Sequence, residues 1–194
     1  PDGSLVTATD KRWNNSADLP NDIDILIRRS TDKGETWSAP LTIAGGDTTL
    51  GFGDAALCVD KTNGNIICLM ASGPGLWGAT AANPLRIMKC VSSDNGISWT
   101  SPVDITDMIY GSGCSNSITK TWWSAFVASG NFVQFSNGRL AAVIAARRTS
   151  STTIDNYMIY SDDHGVTWNI STDQAEASGD EAKMIELADS SILM

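Results

Sequence analysis

Short runs of four to eight apolar or alternating residues recur along this chain, each bounded by Gly, Asn, Asp or Ser. That period and those lengths predict β-strands rather than helices. The predicted strands run from Ser4 to Thr9, Asp24 to Ile27, Pro40 to Ile43, Ala55 to Val59, Asn65 to Ala71 and Leu85 to Cys90. They continue from Pro102 to Ile105, Phe132 to Phe135, Arg139 to Ala146, Tyr157 to Tyr160, Lys183 to Leu187 and Ile192 to Met194.

Two kinds of turn separate them. One is Ser-x-Asp-x-Gly-x-(Ser/Thr)-Trp, matched without exception at Ser30 to Trp37, Ser92 to Trp99 and Ser161 to Trp168. Three full matches in one chain mark a repeat architecture. The Ser and Asp side chains can accept bonds from nearby backbone N–H groups, Gly allows a tight reversal, and Trp clamps the turn onto a sheet. Asp32, Asp94 and Asp163 are therefore read as structural. The second kind is Asp2-Gly3, Asn63-Gly64, Asn137-Gly138 and Asp189-Ser190-Ser191, and Asx-Gly pairs of this sort are hairpin signals.

Taken together, the turns define a unit of four antiparallel strands, A to D. Asx-Gly joins A to B, a variable loop joins B to C, and the Asp box joins C to D. Residues 54–107 make one whole unit and 127–172 another; 1–43 hold B to D of an earlier unit, and 181–194 begin a later one. The expectation is an all-β, partial β-propeller of four-stranded blades. A β-sandwich would not place three identical turns at one point of the repeat. Strand parity puts the boxes on one face. The other face receives residues 10–16, Asp54, Trp77, Trp122, Trp123 and Glu181, and variable loops of this kind carry function.

Composition narrows the chemistry. The 194 residues suffice for an ordinary core, and no apolar run of 18 or more predicts a membrane span. Acidic residues outnumber basic ones by 22 to 13, for a net charge of −9, which argues against nucleic-acid binding. The four cysteines form no Cys-x-x-Cys pair, so a zinc site or redox dithiol is not expected. Buried free thiols are the plain reading, although Cys58 and Cys68 could face each other across a hairpin. The single histidine, His164, lies inside a box, which leaves no material for a Ser-His-Asp triad.

The repeated boxes, and two local contexts, resemble the bacterial-type exo-α-sialidase (neuraminidase) family. Residues Gly3 to Arg12 are similar to that family's strand ending in Asp-x-Arg, and residues Asp180 to Leu187 to the stretch holding its glutamate base. The resemblance implies Asp10 as acid/base, with Arg12 beside the substrate. It implies Glu181 as the base that activates a tyrosine nucleophile. Asp54 would hold a sugar hydroxyl, and Trp77 would line the N-acetyl pocket. A neutral tyrosine suits a substrate whose anomeric carbon bears a carboxylate, because a carboxylate nucleophile would be repelled by it. That phenol needs a base to take its proton.

The implied reaction is retaining cleavage of terminal sialic acid, without metal or cofactor, in a six-bladed enzyme that is secreted or periplasmic. The family's carboxylate-binding arginines and its tyrosine are expected outside residues 1–194, on blades supplied by further sequence or by another chain. The fragment alone is expected to be inactive. Tyr110, Tyr157 and Tyr160 lack the nucleophile's context, and Arg147-Arg148 end a B strand and read as rim charge or loop anchors. Trp122-Trp123 read as a satellite core. Two other readings stay open: an Asp-box glycosidase of neutral polysaccharide, and a propeller that only binds glycans or proteins.

Overall fold

The computed structural model describes residues 2–45 and 50–194; Pro1, where the first partial blade was read to open, lies outside them. The first sheet contains β1 (Leu5–Arg12), β2 (Ile23–Ser30) and β3 (Leu41–Ala44), in that spatial order. The second contains β4 (Phe52–Val59), β5 (Ile66–Ser72), β6 (Arg86–Ser92) and β7 (Val103–Asp104). The third is built from β8 (Ser124–Val127), β10 (Val133–Gln134), β11 (Leu140–Arg147), β12 (Asp155–Ser161) and β13 (Asn169–Ile170). Along the chain β8 and β10 are separated by β9 (Gly130–Asn131), which joins the second sheet beside β4, and a final hairpin joins β14 (Ile185–Glu186) to β15 (Ile192–Leu193). Neighbouring strands within the sheets run antiparallel, except β9, which pairs in parallel with β4. The architecture is all-β, a partial propeller.

Sheet packing follows from alternation along the central strands. On β5, Cys68 and Met70 pack toward the first sheet with Ile25, Ile27 and Phe52. Ile67 and Leu69 face the third sheet, with Leu140, Ala142 and Ile144. On β11, Ala141 and Val143 face the other way, toward Met184 beside the last hairpin. A strand buried on both faces reads as an unbroken apolar run, as residues 66–71 and 140–146 do. Each Leu or Ile so buried contributes about 1.5–3 kcal/mol.

The three boxes share one hydrogen-bond pattern. A buried serine hydroxyl donates to the aspartate (Ser92 Oγ to Asp94 Oδ1, 2.8 Å) and accepts the glycine N–H (Gly96, 2.8 Å). The aspartate in turn accepts both the N–H and the hydroxyl of Ser98, at 2.9 and 2.6 Å. The same bonds recur at Ser30–Thr36 and Ser161–Thr167. These bonds hold the Asp32 and Asp94 carboxyls down at about 2, with the Thr36 or Ser98 hydroxyl as the first cause. Positive φ falls on the residue before the glycine as well as on the glycine: Lys33, Asn95 and His164 lie near 61–62°.

The second and third boxes also dock on the preceding sheet. Arg29 Nε donates to Asn95 O at 2.6 Å, Lys89 Nζ donates to Gly165 O, and His164 Nδ1 lies 2.7 Å from the buried Asp60 carboxylate. In the Asx turns the first residue accepts the N–H two residues on, as Asn63 Oδ1 does from Asn65 and Asn137 Oδ1 from Arg139. Only the second residue takes positive φ: Gly3, Gly64, Gly138 and Ser190.

Two readings change. Cys58 pairs in register with Ile67, and Cys68 with Leu57 and Cys90, so Cys58 and Cys68 do not face each other. All four cysteines are free and buried. The inner strand of the third sheet, expected over Phe132 to Phe135, begins at Ser124 and is interrupted. Residues 128–131 bulge away from β11, and Gly130 and Asn131 pair in parallel with Ala56 and Leu57 of the second sheet. Gly130, at φ 108°, permits the excursion.

Two glycine substitutions test the docking. Gly138 has φ +91° and open space around a built Cβ, whereas Gly165 has φ +80° and a built Cβ 2.8 Å from Ile67 Cδ1. Gly138→Ala should cost about 1–2 kcal/mol for the left-handed backbone. Gly165→Ala should cost at least about 1 kcal/mol more, because a packed core must give way. Denaturant midpoints at constant slope measure both, and equal losses would remove the inter-sheet contact from the account.

Candidate active site

Three carboxylates reach one cavity from three different parts of the chain. Asp10 lies on β1, five residues beyond Leu5, so it is roughly 17 Å from the box end of that strand. Asp54 lies in β4 where the register with β5 breaks between Gly53 and Ala56. It takes φ 58°, which Asp and Asn tolerate better than other side chains. The Asp54 N–H donates to Asp10 Oδ2 at 3.3 Å, and Ser129 Oγ donates to Asp54 Oδ1 at 3.2 Å. Ser129 belongs to the bulge that interrupts the third sheet, so the bulge serves the site.

Glu181 is placed by the edge of β12. Asn156 Nδ2 donates to Asp180 O at 2.5 Å, and Asn156 N to Glu176 O at 2.9 Å. A Cβ at Gly179 would overlap Asn156 Oδ1, so glycine is required for that approach. Asp155 accepts Ser178 N and Gln174 Nε2 at 3.1 and 3.0 Å. On the opposite side Gly75, at φ +76°, lets the Leu19 carbonyl approach to 2.2 Å of where a Cβ would stand.

The cavity measures about 360 Å³ and is lined by Asp10, Arg12, Asp54, Trp77 and Glu181, together with Asp18 and Asp180. Leu19, Leu76, Leu85, Phe126 and Ile154 form its apolar side. No box residue lines it. A larger hollow of about 430 Å³ lies at the turn-side ends of β1, β4 and β10. Among the described residues its single carboxylate is Asp2, so these offer no paired acids.

Burial drives the electrostatics. Asp54 is pushed up to about 6, first by desolvation and then by the Asp10 charge, with Glu181 adding to it. Asp10 is also raised by desolvation, against the pull of the Asp54 N–H and Arg12. Arg12 is committed: its Nη2 lies 2.6 Å from Asp18 Oδ1 and 3.7 Å from Asp10 Oδ2, and Nη1 donates to Ser16 O at 2.7 Å. Lys183 donates to Ala128 O, and burial lowers its pKa against the charges of Glu181 and Asp54.

Sequence reasoning missed Asn156, Lys183 and Ser129; nothing in their local context separates them from ordinary strand or loop residues. Trp122 packs against Tyr157 with ring centroids 4.6 Å apart and planes tilted by 52°, and it is buried in the core. Tyr110 is fully buried, with its hydroxyl on Leu85 O, and none of Tyr110, Tyr157 and Tyr160 lines the cavity.

The raised Asp54 has a stability consequence. An unfolded aspartate titrates near 3.9, so below about pH 4 the group is neutral to stability. Between about pH 4 and 6 the unfolded chain ionises first and the native state loses ground. Above pH 6 the deficit is complete, about 2 kcal/mol after allowance for partial exposure. Asp54→Asn keeps the left-handed backbone and should raise the melting temperature at pH 7.5 but not at pH 3.5. Calorimetry at the two pH values checks this, and an equal gain at both would exclude ionisation as the cause.

Comparison with known proteins bears on the family and the fold. Residues 13–194 match the BNR repeat-like domain. The sialidase of Micromonospora viridifaciens is 32% identical over 212 residues, covering 100% of this chain and 31% of that protein. The sialidase of Clostridium perfringens is 29% identical, covering 100% of this chain and 52% of its own length. The chain thus spans about a third to a half of these relatives. Among solved structures, the Hadza microbial sialidase Hz136 superposes with a TM-score of 0.81 at 29% identity, over 94% of this chain and 37% of that one. The Trypanosoma rangeli sialidase in complex with the inhibitor DANA, at 21% identity and a TM-score of 0.79 over 96% of this chain and 32% of that one, shares the fold. The chain belongs to the BNR repeat-like domain family, within its bacterial sialidase group.

Proposed function

We propose that this chain supplies the acid/base half of an exo-α-sialidase site, in a protein that removes terminal sialic acid from glycans with retention. The observation that carries the reading is the meeting of Asp10, Asp54 and Glu181 in one cavity with an apolar wall that includes Trp77. Asp10 would serve as the acid/base. Desolvation raises its pKa, so it keeps a proton to higher pH and can deliver it to the leaving oxygen, then take one from water. Glu181 is exposed at the cavity rim and free to serve as base toward a tyrosine hydroxyl. Asp54 would accept from a sugar hydroxyl, and Trp77 offers a ring face to an acyl or ring carbon surface.

On this reading, the tyrosine and the arginines that pair with the substrate carboxylate belong to the part of the relatives' length that this chain does not span. The three sheets and the last hairpin are then consecutive blades of one propeller domain, completed by further blades. One observation favours a second reading. Among the described residues the cavity lining holds five carboxylates against one committed arginine, which on its own suits a neutral glycan better than an anionic one.

Kinetics on the intact protein decide between them. The substrates are a fluorogenic sialoside and fluorogenic glycosides of neutral hexoses. Asp10→Asn should lower kcat for the sialoside by about 10²–10⁴-fold. Glu181→Gln should lower it as well. Asp163→Asn should leave it within about threefold, since the box lies on the far face and acts on stability. Turnover of a neutral glycoside without turnover of the sialoside would replace the sialidase reading with the second one.

A further inference from the structure

Arg147 is buried at the end of β11, 6% exposed, and among the described residues it has no carboxylate within ion-pair distance. A buried cation without an acid partner is costly unless its donors are satisfied otherwise. Here both Nη2 bonds go to one loop of the neighbouring sheet and the Nη1 bond stays in its own, while the buried Nε has no hydrogen-bond partner among the described residues. Arg147 Nη2 donates to Trp77 O at 3.3 Å and to Ala79 O at 3.4 Å, and Nη1 donates to Thr149 O at 3.2 Å. Its guanidinium carbon lies 5.8 Å from the ring centroids of both Trp77 and Trp123, within cation–π range. Ser124, at the start of β8, adds a bond from Oγ to Leu76 O at 3.2 Å.

Apart from these bonds, the loop is held by Leu76 and the buried Ala79, which pack with Leu85 and Phe126. Gly75 to Gly78 form a single helical turn (α1) with one backbone bond, from Ala79 N to Gly75 O, and no side-chain cap. Trp77 itself is 60% exposed, so its own packing does not fix it. Yet Gly75, Leu76 and Trp77 all line the cavity. An isolated turn of four residues is not stable alone. Carbonyls at its C-terminal end are suited to a cation with several donors in one plane.

We infer that Arg147 is a positioning residue: from the third sheet it fixes the Gly75–Gly78 turn of the second, and so sets the aromatic wall of the cavity. Acting through Trp77, it governs how tightly the substrate is bound rather than the chemical step. The planar guanidinium is the feature that matters, since one ammonium cannot reach the three carbonyls and lie against two rings. The kinetic part of this inference rests on the proposed glycan-cleaving site; the structural part does not.

The test compares Arg147→Lys, Arg147→Ala, Trp77→Ala and the Arg147→Lys/Trp77→Ala double variant in the intact protein. Hydrogen exchange at residues 75–80 should accelerate by about tenfold or more in Arg147→Lys, with β5 and β11 unchanged. If Arg147→Ala fails to fold, Arg147→Lys carries this measurement. With a fluorogenic sialoside, Arg147→Lys should raise KM by about tenfold at a kcat within about twofold, as expected for lost uniform binding. The double variant should be no worse than Trp77→Ala. Unchanged exchange at 75–80, exchange accelerated equally across the sheets, a loss in kcat alone, or additive single effects would each overturn the inference. Should the wild type cleave no sialoside, the proposed function fails while the exchange measurement still decides the role of Arg147.

Discussion

A buried serine hydroxyl closes each Asp-box hairpin. Ser30, Ser92 and Ser161 are all at most 2% exposed, and each both donates to the box aspartate and accepts the glycine N–H. Both functions of the hydroxyl are met, and leaving a buried donor unmet typically costs about 1–3 kcal/mol. The turn so fixed carries the contacts that lock one sheet to the next, through Arg29, Lys89 and His164. The stacking angle of the sheets is therefore set on the face away from the cavity. The ends of β1 and β4 and the approach to β14, which hold the three acids, are positioned as a consequence.

The cavity divides the work of binding between two unlike walls. Its acidic side brings like charges together under partial desolvation, so protonation of one carboxylate eases the others, as the response of Asp54 to Asp10 and Glu181 illustrates. Arg12 and Lys183 temper that repulsion, and both are themselves tied to the backbone, at Ser16 and Ala128. The apolar side is assembled from Leu19, Leu76, Leu85, Phe126 and Ile154, which come from all three sheets. Neither wall belongs to one sheet, so the site exists only when the sheets are packed.

Much of this was legible in the chain itself. The boxes were readable because their chemistry is local: every defining bond lies within four residues. Asp10 and Glu181 fell on one face by strand parity, which needs only the order of strands. What could not be read depends on distances through space. Gly53-Asp54-Ala55 looks like any strand start, and the bulge that turns Asp54 toward Asp10 appears only once β4 is registered on β5. The pairing of Cys68 with Cys90 follows from the length of the loop after β5. The interruption at residues 128–131 is stabilised by the neighbouring sheet, so the sequence shows only a Ser-Gly that any loop could hold. Arg147 reads as a charge at a strand end, and its partners lie about 70 residues away.

The locality of the box bonds bears on how this chain acquires its shape. A hairpin closed by contacts four residues apart loses little loop entropy on forming, and it needs no distant partner to persist. The bonds between sheets are of another order: Arg29 reaches Asn95 across 66 positions and Lys89 reaches Gly165 across 76. As the chain leaves the ribosome, each C–D hairpin can form within the segment already made, and the next box then finds a ready surface to dock on. The fold is thus suited to growth in one direction, each finished sheet acting as the template for the one being synthesised.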